Sequence, residues 1–211
     1  MLRLANVRVN VKLHKTMNKR PILYSFLRCP YAIRARMACQ RAKTEVDIRE
    51  VNLKDKPDEL LQASPKGTVP VFIHGDGRII DESADIVKDQ LMSIGVSCDD
   101  PLDKAIIEAL HVQFIPALLH YKYSDRYPHI DQHHTLSIIN DYLHQLDQYL
   151  VERSPVEDWE YLDIMLLPLI RQCYIVNMQA FNAWGHGAVE RWLQNILTSD
   201  HFKAIMQKHN E

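Results

Sequence analysis

Cys29 is followed by Pro30, and Pro30 opens a segment, 31–43, rich in Ala, Arg and Met. Proline is favoured at the first position of a helix, where its missing N–H would have no partner anyway. Cys29 is therefore expected at a helix N-cap. There the positive end of the helix dipole and the unpaired N–H groups favour a thiolate, which is the nucleophilic form. Arg28 adds a cation beside it. Three residues on stands Ala32 rather than a second cysteine, so no CxxC partner can resolve a disulfide within the chain, and an external thiol must do so. A free cysteine is more commonly a small buried hydrophobe. That role suits Cys173, which lies in an apolar helix, while Cys39 and Cys98 have no activating context.

Three further places carry chemistry. Val69-Pro70 falls inside the strand-like run Thr68–Ile73, where a proline cannot donate to a ladder and belongs at an edge or a bend. Glu82-Ser83 puts an acid beside a hydroxyl at the head of a helix, which on its own is an ordinary cap. Lys56, alone, is a solvated lysine. His129, His133 and His134 include a pair four apart, but no acid or cysteine completes a ligand set there, so no metal is expected.

The elements that position these residues follow from the apolar pattern. Pro21–Phe26 has strand length, and 30–43 reads as a helix. Glu45–Leu53 alternates Val46, Ile48, Val51 and Leu53 among charges, with one slip of register, as a second strand. Pro57–Ala63 is a short helix and Ser64–Gly67 a turn. Thr68–Ile73 and Arg78–Asp81 are strands around a turn at His74–Gly77, and a helix capped by Glu82-Ser83 runs through Met92 to Gly95. This βαβα then ββα order matches an α/β thioredoxin-like domain at 21–94. A linker, 95–101, leads to an all-α domain at 102–211. There Ile106, Leu110 and Phe114 recur at four, and Leu136, Ile139, Leu143, Leu146 and Leu150 at threes and fours. The stretch Leu162–Ile175 is apolar nearly all round, as a central buried helix must be. Val189, Trp192, Leu193 and Ile196 form the apolar face of another.

Composition narrows the function. The chain has 211 residues, 46% hydrophobic and 25% charged, with four cysteines and a formal charge of −2. It is long enough to bury a full core without disulfide staples, and a soluble protein of the reducing cytoplasm is expected. The longest apolar run, Ile164–Ile170, is too short to span a membrane. Residues 1–20 hold six bases and no acid, leaving 19 bases against 27 acids in the rest. A net-negative body argues against a nucleic-acid partner. The basic extension at 1–20 is short of a targeting peptide's features, since it has no serine and no sustained apolar core and alternates like a strand from Leu2 to Leu13. Met17 is an alternative start.

Taken together, Arg28–Ala32 (RCPYA), Asn52–Leu60 (NLKDKPDEL), Gly67–Phe72 (GTVPVF) and Asp81–Ser83 (DES) resemble the glutathione S-transferase superfamily across residues 21–211, in order and in spacing. The resemblance is closest to its cysteine-type members, the omega class and bacterial omega-like proteins. It implies a homodimer of thioredoxin-like plus helical domains with glutathione as co-substrate. Cys29 would be the nucleophile, and Pro70 would be cis so that Val69's backbone pairs with the cysteinyl part of glutathione. Glu82 would take the γ-glutamyl ammonium, Ser83 and the helix N–H groups its carboxylate, and Lys56 the glycyl carboxylate. The expected reaction is glutathione-dependent thiol transfer, reducing mixed disulfides and, among small molecules, dehydroascorbate. Conjugation of electrophiles, or a non-catalytic interaction module on the same fold, are the alternatives. The small-molecule or protein-disulfide partner would sit in the helical half, where Tyr121, Tyr123, Tyr127 and Trp184 are equally explained by packing. One departure stands out: Glu160 occupies the position where the family's buried helix starts with Ser or Thr, so Tyr161 or Trp159 packing is expected to hold its entry.

Overall fold

The computed structural model describes residues 19–153 and 158–208. The basic extension, apart from Lys19 and Arg20, lies outside them, and with it the alternation at Leu2–Leu13 and the question of Met17.

The first half is a four-stranded sheet in the order β2-β1-β3-β4. β1 (Ile22–Ser25) runs parallel to β2 (Asp47–Glu50) and antiparallel to β3 (Val71–Ile73), and β4 (Ile79–Ile80) closes the other edge. The crossover from β1 to β2 is α1 (Pro30–Arg41), α3 (Ser83–Met92) lies beside it, and α2 (Asp58–Ala63) covers the other face. Side chains alternate across the strands as a period of two requires. Leu23 and Phe72 pack with Ala35, Cys39 and Ile86 on the α1–α3 face, while Tyr24 and Val71 pack with Leu60 and Val51 on the other.

β2 is shorter than the alternation of 45–53 implies. Pairing with β1 ends at Ser25–Glu50, because β1 leaves the sheet there to turn into α1. Val51 is still buried, but Leu53 is 45% exposed. Likewise β3 starts only at Val71, and the stretch 68–70 is a loop that contains the cis Val69–Pro70 peptide bond.

The second half is helical: α4 (Pro101–Ala109), α5 (Ile115–Lys122), α6 (Gln132–Glu152), α7 (Tyr161–Val176), α8 (Met178–Ala183), α9 (Gly187–Thr198) and α10 (Asp200–Ile205). α7 is the buried centre, with every residue from Tyr161 to Ile170 inside. One continuous apolar cluster joins α7 to the inner face of α1 and α3 through Ile33, Met37, Val87 and Leu91, so the two halves share a core.

Two features of the helical half were not legible in the apolar pattern. The Ile106–Leu110–Phe114 row is not one regular helix, because Leu110–Phe114 forms a π-turn between α4 and α5. Pro116 supplies a cause, since it has no N–H to give to the carbonyl four residues back. The entry of α7 is also held differently from expectation. Trp159 and Tyr161 are buried, but the fixing contacts are polar. The fully buried Asp163 accepts from the Glu160 N–H (2.8 Å), the Trp192 indole (2.8 Å) and Arg153 (2.8 Å), and Arg153 also reaches Glu160 (2.5 Å). A charge network thus replaces the hydroxyl cap.

Candidate functional site

Cys29 is the N-cap of α1, in extended conformation (φ −81°, ψ 119°), with Pro30 at the first helical position. Its own N–H donates to the Phe26 carbonyl (2.9 Å), and its carbonyl accepts from Ile33 (3.0 Å), which closes the loop tightly onto the helix. The loop is also held from β2. Glu50 accepts the Leu27 N–H (2.6 Å) with one oxygen and pairs with the Arg36 guanidinium through the other. Arg36, 1% exposed, further donates to Ser25 Oγ (2.7 Å) and to the Ile205 carbonyl on α10 (3.0 Å). Every arm of this buried cation is answered, and the answer pins the strand end that leads into Cys29.

The thiol itself differs from expectation in one respect. The N–H groups of Tyr31 and Ala32 and the charge of Arg34 favour its thiolate, but burial outweighs them and pushes the pKa above the ordinary 9.0. Without a ligand Cys29 is thus a thiol, whose Sγ donates weakly to the Val69 carbonyl (3.7 Å). The N-cap argument named the stabilising groups correctly and left out desolvation, which wins here. Nor is Arg28 the relevant cation. It is exposed and lies over the Phe26 ring (5.4 Å), whereas Arg34, one turn into α1, acts on the sulfur. The other three cysteines are buried, and burial pushes Cys39 and Cys173 up to about 12.

Beside the thiol lies a pocket of about 490 Å³ between the two halves, lined on one side by Thr68, Val69 and Pro70 and at its edge by Asp81–Ala84, with Tyr31, Arg34 and His111 completing the wall. The pocket brings together Val69, Pro70, Glu82 and Ser83, and Cys29, which is not itself part of the lining, adjoins them through its contact with Val69. The Val69 N–H donates to none of the described residues, as a strand-like partner for a peptide would have it. Ser83, 8% exposed, starts α3, and its hydroxyl has no partner among the described residues. Glu82 is the N-cap, with an exposed carboxylate already holding an ammonium, that of Lys66 (2.5 Å). Lys66 also reaches Asp81 (3.2 Å), which accepts from Ser64 Oγ (2.7 Å), and both contacts hold the Asp81 carboxyl below its usual range.

Lys56 stands apart from this wall. It is exposed, with its stem and ammonium beside Gly67, at 3.4 Å from where a Cβ would project. Gly67 has φ +59°, and a Cβ there would also crowd Leu61 at 3.1 Å, so a side chain would strain the turn. Lys56 thus flanks the binding loop from outside the pocket. Among the described residues no three His, Cys, Asp or Glu side chains converge as metal ligands, and no helix is long and apolar enough to cross a membrane.

Two pocket residues escaped the sequence. Arg34 was hidden because an arginine on a helix reads as solvent-facing, and its burial is decided by α7. His111 is exposed on the π-turn and lines the same pocket. The signals that existed were Arg34's place three residues after Tyr31, on the same helix face, and Pro116 as a marker of irregular helix.

Residues 23–89 match the family "Glutathione S-transferase, N-terminal domain". Among curated proteins, glutathione S-transferase omega-1 of Sus scrofa is 31% identical over 86 residues, which is 39% of this chain and 36% of that protein. The matched stretch spans between 25% and 55% of the lengths of six curated relatives, this one among them. Among solved structures, glutathione transferase Omega 3C from Trametes versicolor superposes with a TM-score of 0.73 at 19% identity, covering 92% of this chain and 91% of that one. A glutathione transferase from Pseudomonas putida, with one glutathione disulfide bound per subunit, superposes at 0.70 and 18% identity, covering 89% and 91%.

Proposed function

We propose that this chain, which belongs to the glutathione S-transferase superfamily, is a glutathione-dependent thiol transferase of the cysteine type. The observation that carries this is Cys29: one thiol at a helix N-cap, beside the Val69–Pro70 loop, with Ala32 in place of a resolving cysteine and the other three thiols buried.

In the reaction the Cys29 thiolate attacks the glutathionyl sulfur of a mixed disulfide R–S–S–G. A Cys29–glutathione disulfide forms and RS⁻ leaves, taking up a proton. The thiolate of a second glutathione then attacks that disulfide, releasing glutathione disulfide and restoring Cys29. Glutathione lies with its cysteinyl part against the Val69 backbone and its γ-glutamyl ammonium on Glu82. Ser83 and the N-terminal amides of α3 take its α-carboxylate, and Lys56 flanks its glycyl end. A Val69 amide and a Ser83 hydroxyl with no partner among the described residues, and Glu82's hold on an ammonium, support this placement. A homodimer in a reducing cytoplasm belongs to the same proposal.

One observation favours conjugation as a second activity. A Cys29 held as a thiol donates a hydrogen bond, and a donor beside a bound glutathione thiolate is what conjugation needs. Cys29→Ser separates the two. Thiol transfer is expected to vanish, while conjugation of chlorodinitrobenzene persists or rises. Intact-mass analysis after incubation with oxidised glutathione should show one adduct, on Cys29. Thiol transfer surviving in Cys29→Ser, or an adduct mainly on Cys39, Cys98 or Cys173, would overturn the assignment.

A further inference from the structure

The pocket wall contains a cation for which the described residues provide no counter-charge. Arg34 is 1% exposed, and its Nε and Nη2 both donate to one neutral acceptor, the Met165 carbonyl on α7 (2.9 and 2.5 Å). Its Nη1 has no acceptor among the described residues. The Tyr31 ring lies 5.3 Å from the guanidinium carbon and offers a π-face. The ionisable groups acting on it are three tyrosines and Cys29, with no carboxylate among them. Burial lowers its pKa only to about 10, so Arg34 is charged at neutral pH.

A buried, unpaired cation is costly, and folded chains normally answer it with a carboxylate. Arg36, equally buried on the same helix, has Glu50. The acids on the opposite wall do not serve Arg34, because Asp81 and Glu82 are both held by Lys66. His111 adds no negative charge. Burial and the Arg34 charge both lower its pKa, leaving a neutral imidazole with an N–H to donate. What fits this corner is an anion small and flat enough to meet a guanidinium edge, which describes a carboxylate.

We propose that the second substrate of the pocket carries a carboxylate, which pairs with the Arg34 guanidinium while His111 donates a further hydrogen bond. This rests on the thiol-transfer reading of the same site and names its substrate class: mixed disulfides of glutathione with acidic thiols. Glutathione's own carboxylate is the other source of the same chemistry, and the test separates the two.

The probes are S-(2-carboxyethyl)glutathione and S-(2-carbamoylethyl)glutathione, with their three- and four-carbon homologues to vary reach. These are thioethers that Cys29 cannot cleave, and each pair differs only in charge. Calorimetric titration of the wild type should show the carboxylate bound about tenfold to hundredfold tighter than its amide at the best chain length. In Arg34→Met that ratio should fall to about one, and in His111→Gln it should fall part of the way. Equal binding of acid and amide by the wild type at every length would overturn the subsite alone. So would an Arg34→Met that weakens both compounds equally and keeps the ratio, since Arg34 would then serve glutathione's own carboxylate. If neither compound binds, the glutathione site itself fails and the subsite with it. The wild-type comparison decides the matter even if Arg34→Met does not fold.

Discussion

Arg34 and Arg36 stand two residues apart on α1 and face opposite ways. Both are 1% exposed. Arg36 finds a carboxylate and a hydroxyl in the sheet and a backbone carbonyl on α10, and its carboxylate partner also holds the Leu27 N–H. Toward the helical half, Arg34 finds one carbonyl and a ring face. On that same side lie a thiol resting on a weak sulfur contact, an amide and a hydroxyl without partners among the described residues, and a glutamate whose partner is an exposed lysine. A polar cluster completed from within the chain fixes the backbone, whereas one left incomplete marks where a ligand finishes it. The closed side holds the strand end and loop that present the open side.

The widest separation between the sides is expected in stability. Arg36→Met removes one partner of a buried pair and strands Ser25 Oγ and the Ile205 carbonyl, for a loss of about 3 kcal/mol. Glu50's carboxylate is 27% exposed and can be rehydrated, which keeps the loss at the lower end of the range for buried pairs. Arg34→Met removes a charge with no counter-charge and fills most of its volume with apolar atoms. The relief offsets the lost Met165 contact to within about 1 kcal/mol. Thermal melts followed by circular dichroism should therefore show Arg36→Met melting lower by roughly 6–12 °C and Arg34→Met moving little. Equal losses would erase the distinction between the two sides.

How far the sequence revealed these sides depends on the range of the forces involved. Cys29 at the start of α1, Glu82-Ser83 at the start of α3, the Gly67 turn and a proline at position 70 that cannot join a ladder are local features. Proline, glycine and cap preferences dictate them, and all were legible. The ends of β2 and β3 were overdrawn, because alternation at Val51 and Leu53 outlasts the partner strand that gives it meaning. Arg34 was illegible because its burial depends on Met165, 131 residues away. The Cys29 thiol was misjudged in sign because dipole and charge can be counted from neighbours, while desolvation depends on what the other half places over the sulfur. The entry of α7 was misread similarly, since Asp163 is completed by the Trp192 indole from α9 and by Arg153 at the end of α6.

The next test follows the thiol. Its raised pKa means that little thiolate exists at neutral pH, so alkylation of Cys29 by iodoacetamide should climb about tenfold per pH unit up to a midpoint above 9.0. Arg34 lowers that pKa, so Arg34→Met should move the midpoint higher and slow alkylation at pH 7. Arg36→Met should leave the midpoint where it is, provided it is measured well below its melting temperature. Mass mapping keeps the signal specific to Cys29. A midpoint below 9.0 would mean that dipole and charge, not burial, govern the sulfur. A midpoint shifted equally by both variants would mean that Arg34 is not the cation acting on it.

The smallest effect concerns the edge of the open side, where Glu82 is occupied by Lys66. If glutathione's ammonium is to sit on Glu82, it must displace that lysine. An ion pair this exposed is weak and screened by solvent, so the obstacle is slight. Lys66→Met should tighten glutathione binding by roughly twofold to fivefold. Glu82→Ala should weaken it by about tenfold or more, and in that background Lys66→Met should have no further benefit. The double variant thus distinguishes competition for one carboxylate from a general change of surface charge, which would add equally in both backgrounds. Tighter binding by Lys66→Met that persists without Glu82 would show that the ammonium is held elsewhere, and the edge would then belong with the closed side as an ordinary helix cap.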